Sequence, residues 1–168
     1  IVILPSNGVY TLNTNIFNKE SIEKIYMLKK RDMDNPLGVL VKDYEMSKSL
    51  MDISGMSEQE LQIIETLIKE FWPGMLTIVV KTHLKNPLFT ANSYISMETS
   101  SHTIVKNIMN EINAPIITTS ANINKKTSCT HINHVKNYFG KIKCITALVD
   151  PENPKYGIEN TIVKIVNN

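Results

Sequence analysis

Lys29-Lys30-Arg31-Asp32-Met33-Asp34-Asn35-Pro36-Leu37-Gly38-Val39-Leu40-Val41 carries the chain out of a helix and into a buried strand. Upstream, Ile22, Ile25, Tyr26 and Leu28 recur at helical spacing. Asn18 is placed to cap that helix, with Glu20 in its first turn. Three cations close it where the helix dipole is negative. Asn35-Pro36 ends any continuation, because the proline ring drives the residue before it out of the α region. Residues 37–41 then read as a short apolar strand. Helix, break and buried strand are the unit of an α/β domain.

The rest of the chain repeats that alternation. Residues 1–4 form a buried strand, and Pro5-Ser6-Asn7-Gly8 turns into Val9-Tyr10-Thr11-Leu12. Asp43 starts a short helix to about Met51. Ser57 and Glu60 make a capping box ahead of Leu61, Ile64, Ile68 and Phe71, which share one helical face. Trp72-Pro73-Gly74 stops that helix, and residues 76–80 are a strand. Residues 81–94 read as irregular. Ile104, Val105, Ile108, Met109 and Ile112 give another helix. Residues 115–119 form a strand, with Ser120-Ala121-Asn122 at its carboxyl end. Thr130 is placed to cap a helix carrying Ile132, Val135, Tyr138 and Phe139. Residues 145–149 and 161–166 are the last strands. No repeat or linker interrupts the pattern, so one domain over residues 1–168 is expected. Its abrupt opening on a buried strand, without Met, is expected of a chain that has lost residues upstream.

Composition excludes more than it selects. A chain of 168 residues suffices for one sizeable core. It is 42% hydrophobic and 20% charged, as ordinary globular domains are. A net charge of +2 is too mild to establish nucleic-acid binding. Cys129 and Cys144 form no CxxC pair, so a reduced, cytoplasmic, zinc-free protein is expected. No apolar run reaches membrane-helix length and no signal peptide is present. His131 and His134 are three residues apart, but no carboxylate or thiol at metal-site spacing joins them. Neither a P-loop nor GxGxxG occurs.

Three stretches could carry chemistry. In Lys29-Lys30-Arg31, Arg suits bidentate contact with phosphate and Lys supplies a point charge. Read from composition alone, the cluster fits a solvated helix end better. Ser120 and Asn122 sit where open α/β sheets bind ligands, beyond a strand's carboxyl end. Taken alone, ordinary turn chemistry explains them better. Phe71-Trp72 before Pro73-Gly74 offers a stacking platform, though a helix stop packed on the core is the plainer reading.

The order of these stretches is more specific than any one of them. Residues 5–12 resemble the P-T-E-T-V-Y-G-L of YrdC/Sua5/TsaC-type domains. Lys29-Lys30-Arg31 resembles that family's K-x-R, and Asn35-Pro36-Leu37 follows at the right distance. Residues 71–77 resemble F-W-P-G-P-L-T, residues 119–122 its S-A-N segment, and residues 157–163 its G-x-E-S-T-V-V. The resemblance implies a twisted open mixed sheet flanked by helices, with a concave ligand cleft. It also implies an L-threonylcarbamoyladenylate synthase. Such an enzyme uses ATP, bicarbonate and L-threonine, with Mg²⁺, in the t6A37 modification of tRNA.

By the same resemblance, Lys29 and Arg31 would be the catalytic cations on the triphosphate. Asn35, Ser120, Asn122 and Ser128 would line the ATP side. Ser6, Gly8, Glu98, Thr118, Asn160 and Thr161 would belong to the amino-acid side, with Thr118 near the join. Expected partners are these small molecules, tRNA or double-stranded RNA, and the transferase proteins of the t6A pathway. Departures cluster on the amino-acid side. Gly8 replaces a Thr, Asn160 replaces a Ser, and Glu98 replaces an Arg when His102 anchors the match. An anion in place of a carboxylate-holding cation needs a compensating charge, for which Lys125 or Lys126 is available. The alternative is a nucleotide- or RNA-binding module that has lost threonine binding.

Overall fold

In the computed structural model, which describes residues 1–148, 154 and 156–166, the alternation becomes one mixed sheet. Its strands are β1 (Val2–Pro5), β2 (Tyr10–Asn15), β3 (Gly38–Leu40), β4 (Leu76–Lys81), β5 (Thr90–Ala91), β6 (Tyr94–Glu98), β7 (Ile116–Ser120), β8 (Thr146–Ala147) and β9 (Thr161–Lys164). The helices are α1 (Lys19–Lys29), α2 (Tyr44–Lys48), α3 (Glu58–Phe71), α4 (Thr103–Ile112) and α5 (Ile132–Phe139). Among the described residues the strand order is β8-β1-β2-β7-β3-β6-β4-β9, with β5 paired to β6. The pairs β1/β8, β3/β6 and β4/β9 are parallel, and the rest antiparallel.

Local chemistry sets most of the element ends. Asn18 caps α1 through Ser21 N, and Ser57 with Glu60 forms the expected capping box of α3. α1 stops at Lys30, whose left-handed backbone (φ 51°) returns its N–H to Met27 and Tyr26 carbonyls.

Three expectations are corrected. The cap of α5 is His131, not Thr130, since its Nδ1 accepts from Asn133 N at 3.1 Å. Phe71 is exposed rather than on the buried face of α3. The helix buries Ile64 and Ile68, and Trp72 turns inward, donating its Nε1–H to Leu76 O at 2.8 Å. Residues 81–94 are not wholly irregular. They contain β5 and the start of β6, a strand in which Ile95 and Met97 are buried while Tyr94, Ser96 and Glu98 face the other way. The strand expected to reach residue 149 is seen as β8, and residue 149 lies outside the described residues.

Side-chain alternation gives the sheet two unlike faces. One face carries Ile3, Leu12, Val39, Ile78, Met97 and Ile117, packed with α1, α3 and α5 in the main core. The other carries Leu4, Leu40 and Ile116 under α4, through Val105 and Met109. Continuing along those strands, this second face turns polar. Thr11, Gly38, Thr118, Ser120, Thr77, Ser96 and Glu98 occupy it, and among the described residues no apolar helix stripe covers them. This uncovered half-face is the floor of the cleft.

Candidate functional site

The cleft has a volume of about 430 Å³. Of the residues singled out from the sequence, Ser6, Gly8, Arg31, Asn35, Glu98, Thr118, Ser120 and Asn160 line it together. Lys29, Asn122, Ser128 and Thr161 are not among its lining residues. Thr161 pairs with Leu76 and is exposed, whereas its neighbour Ile162 faces the cleft. Ser128 donates its hydroxyl to Glu159, which does line the cleft.

Arg31 is aimed by the loop that follows it. Its Nε donates to Asn35 O at 2.8 Å, and its Nη2 donates to Asn35 Oδ1 and Pro36 O, each at 2.9 Å. Tyr26 fixes the same loop, its hydroxyl donating to Leu88 O at 2.8 Å and lying 3.2 Å from Asn35 O. Asn35-Pro36 therefore serves as a clamp for the guanidinium. Lys29 has a different place. It is 1% exposed, and its Nζ donates to Ser120 O, to Asn122 Oδ1 at 2.6 Å and to Asn122 O at 3.2 Å. All three ammonium protons are thus met by the Ser120–Asn122 turn. Burial, with Arg31 as a neighbouring cation, lowers its pKa to about 8. Lys29 ties the end of α1 to the end of β7 behind the cleft wall.

The opposite end of the cleft is acidic. Oε2 of Glu98 accepts from Thr77 Oγ1 and from Asn160 Nδ2, both at 2.8 Å. Burial pushes the Glu98 carboxyl up from its ordinary range, and the two donors pull against that shift. Two departures noted in the sequence are therefore partners, since Asn160 solvates the acid at position 98. Among the described residues no cation is paired with Glu98. Neither Lys125 nor Lys126, expected to compensate it, lines the cleft. Lys164 does line it, lying 4.1 Å over the Tyr94 ring. On the floor, Thr118 is 3% exposed and its Oγ1 has no described hydrogen-bond partner.

Two features explain the rim. Asn7 is buried and links three loops: its Nδ2 donates to Gly74 O and Thr99 O, and its Oδ1 accepts from Ser101 N at 2.7 Å. Gly8 allows residues 157–160 to close on this turn. A Cβ at Gly8 would stand 1.7 Å from Ile158 O. The space a side chain at position 8 would need is thus occupied by backbone.

Sequence reading passed over Asn7, Thr77, Glu159 and Lys164 as site residues. Period-two alternation marks Thr77, whereas nothing local in the sequence distinguishes Lys164.

The Sua5/YciO/YrdC family model, described as telomere recombination, matches residues 1–168. The threonylcarbamoyl-AMP synthase of Bacillus subtilis is 32% identical over 97% of this chain and 46% of its own. That of Pyrococcus abyssi is 29% identical over 98% of this chain and 47% of its own. The chain thus spans about half the length of these curated relatives. Among solved structures, P. abyssi Sua5 complexed with L-threonine superposes with a TM-score of 0.82, at 29% identity over 98% of this chain and 46% of that one. Escherichia coli YciO shares the fold, with a TM-score of 0.79 at 14% identity over 99% of this chain and 78% of that one.

Proposed function

The chain belongs to the Sua5/YciO/YrdC family, and from that premise we propose that it is a threonylcarbamoyl-AMP synthase-type nucleotidyltransferase. It would condense a small amine with bicarbonate and join the resulting carbamate to AMP from ATP, releasing pyrophosphate. L-Threonine is the amine to test first, and tRNA t6A modification in the cytoplasm the process served. tRNA and the t6A transferase proteins are the partners this reading implies.

One observation carries the reading. A single cleft joins an arginine held by three fixed acceptors to a polar end bearing Glu98, Thr118 and Asn160. Arg31 would take phosphate oxygens, with Asn35 and Ser120 beside the nucleotide. Lys29 and Asn122 would act behind them by fixing the Ser120 turn, and Ser128 by holding Glu159. Ser6, beside Gly8 on the rim, and Thr118 would stand on the amine side. Holding both substrates in one small space supplies most of what such a transfer requires. Among the described residues no three His, Cys, Asp or Glu side chains are grouped to hold a metal ion, so Mg²⁺ would enter on the nucleotide's own oxygens.

The test is pyrophosphate release from ATP. Release that requires both bicarbonate and L-threonine or a related amine supports the proposal. Release indifferent to both contradicts it. The carboxylate at position 98 favours one second reading, a nucleotide-binding module without an amine substrate. It would show as ATP binding with no amine binding.

A further inference from the structure

We propose that the outer face of α5, continued to Lys143, is a docking surface for single-stranded RNA, separate from the cleft. The function proposed above implies an RNA partner but no place for it, and this surface stands whether or not that function holds. The net charge of +2 conceals an uneven distribution. Residues 112–148 hold five Lys, two His and no Asp or Glu. With neutral His that stretch carries +5, so the rest of the chain carries −3. Lys125, Lys126, Lys136, Lys141 and Lys143 are all exposed. No ion pair among the described residues includes any of them.

Helical spacing gathers part of this charge on one side of α5. Val135 and Phe139 bury the inner side. Asn133, His134 and Asn137 lie on the outer side, with Lys136 and Tyr138 on its two flanks. Gly140 keeps helical backbone (φ −62°, ψ −15°), which brings Lys141 onto the same side. His131 accepts from Asn133 N through Nδ1, which leaves its ring proton on Nε2 as a donor. Its ring meets that of His134 edge-on, with centroids 6.4 Å apart. Each of these side chains can donate a hydrogen bond, and none is an acid.

Charge complementarity selects a polyanion, and the aromatic ring selects its form. The lysines act as point charges for phosphates. Tyr138 is 37% exposed and leans on the buried Phe139, with ring centroids 6.0 Å apart. It is therefore an anchored surface on which a base can stack. Only a base free of a duplex can do so, which favours a single strand. Lys136 also complements the dipole of α5 from its last turn. That role explains neither the exposed Tyr138 nor the acid-free run. The run reaches back to the end of α1, because Asn124 N donates to Lys29 O at 2.6 Å just before Lys125 and Lys126.

The experiment titrates the full chain into a fluorescent oligouridylate of about 12 nucleotides, long enough for one such site, and reads anisotropy. Three neutralised phosphates give a slope near −2 in log affinity against log salt, so affinity should fall at least tenfold between about 50 and 200 mM salt. Joint replacement of Lys136, Lys141 and Lys143 by Glu should weaken binding at least tenfold. Tyr138→Ala alone should weaken it about fivefold or more through lost stacking. Joint replacement of the exposed Lys19, Lys69 and Lys85 by Glu makes the same change in net charge elsewhere and should alter affinity less than twofold. No binding at the lower salt, or an equal loss in both triple variants, overturns the inference. So does unchanged affinity in the α5 triple variant, or an RNA duplex of the same length bound as tightly as the single strand. Binding to phosphatidylserine vesicles with none to RNA overturns it in favour of a membrane surface. The wild-type salt dependence and the strand comparison decide the matter even where a variant does not fold. Pyrophosphate release is measured on the same preparation. Its absence overturns the proposed function alone, and intact release without RNA binding overturns this inference alone.

Discussion

Lys29 and Arg31 lie two residues apart and do different work. Arg31 opens onto the cleft from a clamp of fixed acceptors, whereas Lys29 spends its three protons on the Ser120–Asn122 turn. Replacing Lys29 with Met leaves buried carbonyls unmet and should destabilise the fold by about 3 kcal/mol, read from denaturant unfolding. The folded pKa of Lys29, about 8, lies below its ordinary 10.5. Charge on Lys29 therefore opposes folding below about 8, and that penalty is relieved as pH rises from about 8 to about 10.5. The stability of the parent relative to Lys29→Met should rise across that window, and a flat difference would show that Lys29 does not titrate there. The sequence placed these cations at a helix end but could not separate the buried one from the exposed one. That distinction depends on β7 arriving behind the helix, a contact between residues 91 and 93 positions apart.

The turn at residues 5–9 and the segment at residues 157–160 interlock. Gly8 is the close approach between them, and restoring the family's Thr there drives its Cβ into Ile158 O. Gly8→Thr should therefore cost about 2 kcal/mol or more and weaken amine binding, because Glu159 and Asn160 would be displaced from the cleft. A variant as stable as the parent, with unchanged amine affinity, would mean the segment sits elsewhere. Elements with their own caps were legible in the sequence, as Asn18 at α1 and the Ser57–Glu60 box at α3 show. The β6 strand was not. Its outward residues face a polar cleft, so Tyr94, Ser96 and Glu98 look like loop chemistry until Ile95 and Met97 are seen in the core.

Across the whole molecule, one sheet uses its two faces for two purposes. The apolar face builds the main core, and the half-face beyond α4 is kept polar and open. Replacing Arg31 with Ala should lower ATP affinity at least tenfold while leaving the melting temperature nearly unchanged, since Arg31 borders solvent and the core does not rest on it. Unaltered ATP affinity would remove the phosphates from that end of the cleft. Motif order along the chain made the fold and the cation end readable. The acidic end was readable only as a set of departures, because the pairing of Asn160 with Glu98 joins residues 62 positions apart.

The most direct measurement is the product itself. The chain is incubated with ATP, ¹³C-bicarbonate and L-threonine, and the nucleotides are analysed by mass spectrometry. The account predicts threonylcarbamoyl-AMP carrying the label, formed with pyrophosphate and abolished by Arg31→Ala. ATP left intact, or hydrolysed with no labelled adenylate, would contradict it.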